Sequence, residues 1–287
     1  MAYPSRTDTE EPAETGSPAP KEKEGGTIRF LLTFVAIAWV IRSLVVAPFS
    51  IPSGSMLPTL YIGDYLLVAK WPYGYSRYSF PFQVPPLDER VLGGLPERGD
   101  VVVFHHPTED SDLIKRVIGL PGDTVEVRGG MLSLNGRALP RQPLRPFALP
   151  LSPNTPCKVV QPATPMRGRT AAGEPACLYP AYRETLPGGP TYTVLDQVET
   201  ARADDVAPVS VPPGHVFLLG DNRDDSLDSR YSTAEGGIGF VPVRNLVGRG
   251  LVTFWSTDGS ASYALPWTWF SALRGSRMGN GYTGDPE

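Results

Sequence analysis

Residues 30–49 carry a single charge, Arg42, in an otherwise mostly apolar run. Wound as a helix at 1.5 Å per residue, these roughly 20 residues would span about 30 Å, the thickness of a bilayer's hydrocarbon core. Three fates compete for such a segment. A buried helix of a soluble domain would be amphipathic, whereas this run is apolar nearly all round. A cleavable leader would need a basic start and a small-x-small site, and although Val45-Val46-Ala47 fits loosely, the preceding residues are acidic and Pro48 would follow the cut. A retained single-span anchor fits best, with the Arg42 stem reaching to the headgroups from near one end.

The flanks orient that anchor. Residues 1–26 hold six acidic side chains (Asp8, Glu10, Glu11, Glu14, Glu22, Glu24) and three basic ones (Arg6, Lys21, Lys23), with no apolar period, and are expected to form a disordered tail. Lys21, Lys23 and Arg29 precede the apolar run, and after Arg42 the next basic residue is Lys70. By the positive-inside rule the tail is cytoplasmic, the span covers residues 27–49, and everything from residue 50 onward lies outside the cytoplasm. The chain as a whole has 26 Lys+Arg against 30 Asp+Glu, so it lacks the basic excess that a nucleic-acid binder would need.

Beyond the anchor the apolar runs are short and β-branched: residues 65–68, 100–104, 116–118, 124–127, 215–219 and 247–254 predict strands separated by Gly/Pro turns. Residues 131–139 alternate on both sides of Asn135-Gly136, a strong hairpin signal. The expected fold is therefore mainly β: an antiparallel β domain outside the cytoplasm, following one N-terminal transmembrane helix. Its core divides into residues 50–139 and 212–256. Between them, residues 140–211 read as a loop-rich insertion, since residues 140–213 contain 15 prolines and few strand-like runs. Residues 257–287 close the chain. There Leu265, Trp267, Trp269 and Phe270, followed by Arg274 and Arg277, read equally as a membrane-interfacial patch or as a segment packed on the core.

Cys157 and Cys177 are the only cysteines and both fall in the insertion. Outside the cytoplasm, an even pair with no further Cys or His nearby predicts a disulfide and no metal site. The three histidines give little support to a Ser/His/Asp hydrolase. His105 and His106 are adjacent, so in a strand they point to opposite faces, and His215 stands at a strand start; surface or hydrogen-bonded core histidines are the ordinary reading.

Chemistry must come from other residues. Ser53 and Ser55 stand among Gly54, Pro52 and Pro58 directly after the anchor; alone, they would be an ordinary turn. Lys115 lies within residues 112–123, inside an apolar strand ahead of a Pro-Gly turn. On alternation it shares a face with Leu113 and Val117, where desolvation would lower its pKa and make it a usable base. The competing reading puts it on a solvated edge beside Arg116. Residues 220–231 are nearly all polar or charged, which predicts a hydrogen-bonded ion-pair loop next to a site. Asp224, Ser226, Asp228 and Glu235 echo a calcium loop, but Ser229 replaces the sharp-turn glycine and no helices flank it.

Taken together, the anchor, PSGSMLPTL, GDYLLVAK, RGDVVVF, DLIKRVIGLPGD and GDNRDDSLDSR, in that order, resemble the bacterial type I signal peptidase family of membrane-bound Ser/Lys proteases. The likeness covers most of residues 28–130 and 212–255. It implies Ser55 as nucleophile, Lys115 as general base, Ser53 as an oxyanion donor with the Ser55 amide, and Ser226 as the hydroxyl that orients the Lys115 amine. Asp221, Arg223, Asp228 and Arg230 would form the supporting ion-pair loop. Phe49, Ile51, Pro52, Met56, Leu57, Val103 and Ile114 would line shallow pockets for small side chains at the first and third positions before the cut. The resemblance further implies an inner-membrane, single-pass enzyme with its catalytic domain in the periplasm, membrane lipid around its anchor, signal peptides of exported pre-proteins as substrates, and no metal or organic cofactor.

The chain departs from the family pattern at Asp225, where Asn is usual, and at residues 232–237, which lengthen the step after Tyr231; the insertion aligns with nothing in the pattern. Two alternatives stay open: a specialised Ser/Lys processing peptidase of pilus or conjugation type, and a non-enzymatic membrane-anchored β binding module that would tolerate loss of Ser55 or Lys115.

Overall fold

The structure, a computed structural model, describes residues 24–198, 202–262 and 264–282. The expected disordered tail falls almost wholly on residues 1–23, outside the described residues.

An α-helix runs from Glu24 to Val40 and continues as a π-helical turn, Ile41–Val45. Residues Gly26–Val45 are long and apolar enough to cross a membrane, and Phe30, Phe34 and Ile37 are exposed along the helix. The span expected over residues 27–49 needs correction at its C-terminal end: the apolar helical stretch is Gly26–Val45, and residues Val46–Ser50 form a strand, β1. Pro48 explains the switch: proline cannot continue a helix and biases the residue before it toward extended backbone. It is tolerated because β1 is an edge strand, where a missing N–H costs no ladder bond.

From β1 onward the chain builds a seven-stranded antiparallel sheet. Strands β2 (Asp64–Ala69), β3 (Val101–His105) and β4 (Asp112–Gly119) join β1 with Leu246–Ser256, His215–Leu219 and Val241–Pro242, in the order β1, β2, Leu246–Ser256, β3, β4, His215–Leu219, Val241–Pro242. Every strand expected from the β-branched runs forms within a few residues of its predicted bounds. β4 is buried from Ile114 to Gly119, so both faces of this strand are covered, and Lys115 and Arg116 are buried on opposite sides of it. The solvated-edge reading of Lys115 is thereby overturned.

A four-stranded sheet holds Val206–Ser210, Thr124–Arg128 and the hairpin of Met131–Leu134 with Arg137–Ala138, so the last strand of residues 140–211 pairs with the core. Asn135 and Gly136 both have positive φ, 54° and 76°, as the tight turn requires. In the insertion, two three-stranded sheets form: Met166–Arg169, Pro175–Tyr179 and Phe147–Pro150 in one, Thr191–Leu195, Ala181–Thr185 and Arg141–Pro143 in the other. Strands of three to five residues between prolines are too short to show a period, which is why the sequence showed few of them there. One cluster buries Leu149, Cys177, Tyr179, Ala181 and Leu195 of the insertion with Leu57 of the core, so the insertion packs onto the turn that carries Ser55.

Cys157 and Cys177 are disulfide-bonded, with Cα atoms 5.2 Å apart and 20 residues between them in sequence. Closing a loop of that length contributes on the order of 3 kcal/mol in the chain-entropy model. Cys157→Ser is expected to lower the urea midpoint accordingly, and free thiols in protein isolated without reductant would show the bridge to be absent.

In the C-terminal segment, Leu265, Trp267, Trp269 and Phe270 are exposed, not packed. Tyr282 instead enters the core beside β2, and Arg274 and Arg277 anchor the segment through the buried Asp64.

Candidate active site

Ser55 sits in the turn after β1, and Lys115 in mid-β4, 60 positions later. Lys115 Nζ donates to Ser55 Oγ at 2.7 Å and to its neighbour's carbonyl, Ile114 O, at 3.1 Å. Both side chains are buried, at 7% and 5% exposure. Burial lowers the Lys115 amine to about 8, although Asp228, Asp221 and Asp225 pull it upward. Desolvation outweighs those carboxylates, leaving an amine that loses its proton readily and is aimed at a hydroxyl.

The turn holding Ser55 is clamped from across the molecule. Asn222 donates its backbone N–H to Ser55 O and its side-chain amide to Gly54 O, both at 3.0 Å. Gln197 of the insertion in turn donates to Asn222 Oδ1 at 3.0 Å. Gly220 lies so close that a Cβ there would stand 2.6 Å from Ser55 O, which explains a glycine before Asp221. Ser53 Oγ is 3.5 Å from Ser55 Oγ, at the solvent side of the same turn.

The loop at residues 220–231 is an ion-pair loop, but only one pair is internal to it: Arg230 with Asp228 at 2.8 Å. Burial alone would raise the Asp228 carboxyl, yet Arg230, the Gly220 amide and the Ser226 hydroxyl together hold it below its ordinary value. Asp221 pairs with Arg116 on β4 through two bonds of 2.8 and 2.7 Å and accepts from Thr59 at 2.5 Å. Arg223 pairs with Glu184 of the insertion. No hydrogen bond between Ser226 and Lys115 is formed: the Ser226 hydroxyl is buried without a hydrogen-bond partner, near enough to Asp228 to help hold that carboxyl down. Asp224 accepts the amides of Gln197 and Val198, and burial nevertheless raises its carboxyl to about 6, with Asp196 and Asp204 close by.

Of the anticipated pocket residues, Ile51, Met56, Val103 and Ile114 share one apolar cluster with Phe49 packed on it. Leu57 does not join them, because it turns toward the insertion. Pro52 is exposed and borders, with Ser53, Ser55 and Leu57, a cavity of about 230 Å³. His106 is a buried acceptor of loop amides from Thr108 and Glu109, and His105 faces Asp112, so neither reaches Ser55. Asn222, Arg116, Glu184 and Gln197 were absent from the sequence-derived set. Asn222 alone had a visible signal, since it lies inside the polar loop.

Residues 25–255 match the family model described as signal peptidase, peptidase S26. The chain belongs to that family. It is 36% identical over 235 residues to signal peptidase I of Rickettsia typhi, covering 78% of each chain, and 34% identical over 245 residues to signal peptidase I of Rickettsia prowazekii, covering 82% of this chain and 81% of that one. A crystal structure of a signal peptidase I from Enterococcus faecalis V583 matches at 26% identity and a TM-score of 0.27, over 54% of this chain and 97% of the other. Ser55, Lys115 and residues 220–231 lie within the matched span.

Proposed function

We propose that this S26-family peptidase is a membrane-anchored endopeptidase that removes signal peptides from exported pre-proteins, cutting after small-x-small sites with Ser55 as nucleophile and Lys115 as general base. The observation that carries this reading is the 2.7 Å hydrogen bond from a buried lysine amine to a buried serine hydroxyl. Neutral Lys115 takes the Ser55 proton as Ser55 Oγ attacks the scissile carbonyl. The Ser53 hydroxyl and the Ser55 amide donate to the oxyanion, Lys115 protonates the leaving amine, and water then releases the acyl group. The Ser226–Asp228–Arg230 group and Asn222 act as positioning residues.

β1 and β4 deliver Ser55 and Lys115 respectively, and a cavity of about 690 Å³ is lined by Ala47 and Phe49 of β1 and by Asp112 at the start of β4. An extended peptide laid there approaches Ser55 from its upstream side, over the cluster of Ile51, Val103 and Ile114. A catalytic domain beginning directly after the span works at the membrane surface, where a signal peptide's apolar segment ends, and the anchor raises the effective concentration of such substrates. Residues 50–139 and 212–256 form the catalytic core in this reading, with the tail cytoplasmic and the domain periplasmic in the inner membrane.

Purified full-length protein in detergent is expected to cut an exported precursor after its Ala-x-Ala site, and Ser55→Ala is expected to leave the precursor intact. An uncut precursor would favour the binding-module alternative.

A further inference from the structure

A second cavity, of about 230 Å³, is lined by Ser55 itself, which the larger one is not, and shares no residue with β1 or β4. Its lining runs from Ser53 and Ser55 to Asp225 of the ion-pair loop and to Lys158 and Tyr179 of the insertion. On the peptide path proposed above, a chain that approaches over β1 and β4 and crosses Ser55 continues toward this side. Lys158 Nζ lies 2.6 Å from Asp225 Oδ1, and the pair is lopsided: the ammonium side chain is 68% exposed, the carboxylate 21%. The charge presented to an incoming chain is therefore positive. An exposed pair of this kind contributes about 0–1 kcal/mol, so its cation exchanges partners at little cost. The backbone that carries it is nevertheless held in place. Cys157, next in the chain, is bonded to Cys177, and Tyr179 donates its hydroxyl to Lys158 O at 2.7 Å.

We infer that this cavity is a subsite for an acidic side chain just after the scissile bond, with Lys158 as the group that recognises it. The inference rests on the serine-peptidase reading above and adds a preference on the mature side of the cut. It also gives the disulfide a task, holding one wall of the site against the nucleophile turn.

The test uses full-length enzyme in detergent and three peptides identical before the cut, carrying Glu, Ala or Lys at both the first and second positions after it. The wild type is expected to cleave the Glu peptide with a kcat/KM about tenfold above that of the Lys peptide, a difference of the size a rim charge gives. Lys158→Glu should reverse that order. Asp225→Asn, which frees the ammonium from its internal partner, should widen the ratio. Equal rates for the Glu and Lys peptides, or an unchanged order in Lys158→Glu, would overturn the inference while leaving the peptidase assignment intact. If the wild type cleaves no peptide, or if Ser55→Ala still cleaves the Ala peptide, the peptidase reading itself is what fails.

Discussion

Lys115→Arg is expected to reduce precursor cleavage at least about a thousandfold although the positive charge is kept, because guanidinium does not give up its proton. Ser55→Ala should be as inactive, and the double variant no worse, as expected of two groups that act in one step. The pH profile adds a second readout. With the Lys115 amine brought to about 8 by burial, only the deprotonated fraction is competent. The sign follows: kcat/KM should rise about tenfold per pH unit below that value and level off above it, until a second group titrates. Lys70 provides the control. Burial brings it too to about 8, against the pull of Asp112, but its amine lies over the Phe49 ring at 5.6 Å and not on the nucleophile. Lys70→Met should therefore leave the rising limb in place. A Lys115→Arg enzyme with more than a small residue of activity, or a flat profile between pH 6 and 8 in the wild type, would remove Lys115 from the role of base.

What could be seen in the sequence divides along a physical line. Interactions set by local order were legible: the Asn135-Gly136 turn, the β-branched strands, and the blocks containing Ser55, Lys115 and Asp221. The end of the anchor was misjudged because hydropathy counts apolar side chains and is blind to backbone pairing; Val46 and Phe49 are as apolar in β1 as they would be in a helix. Partners distant in sequence were not visible at all. Arg116 meets Asp221 across 105 positions, and Glu184 meets Arg223 across 39, and nothing in either neighbourhood marks the other. Ser226 shows the limit of a resemblance, which implied a hydroxyl bonded to the Lys115 amine where the structure leaves that hydroxyl buried and unpartnered.

Glu184 offers the sharpest test of whether the insertion is a passenger or a brace. Arg223 and Glu184 are 4% and 1% exposed, paired through both guanidinium nitrogens Nη1 and Nη2, and Tyr192 donates a further bond to Glu184 Oε2 at 3.0 Å. Burial by itself would lower the Arg223 guanidinium, yet Glu184 and Tyr192 hold it above its ordinary value, so the charge stays on. Removing only the carboxylate strands that buried charge without its ion-pair partner. Glu184→Ala is accordingly expected to cost about 3–5 kcal/mol, read as a fall in the urea midpoint of the detergent-solubilised chain. Glu184→Leu combined with Arg223→Met should recover most of the loss, since a buried pair replaced by apolar groups of similar volume is often neutral. Activity should follow a different course in the two variants. Arg223 shares its loop with Asn222, which clamps the Ser55 turn, so the destabilised single variant should also lose turnover at temperatures where it remains folded. The double variant should regain both. A Glu184→Ala protein as stable as the wild type would mean that the insertion merely lies against the ion-pair loop and that the loop holds Ser55 in place without it.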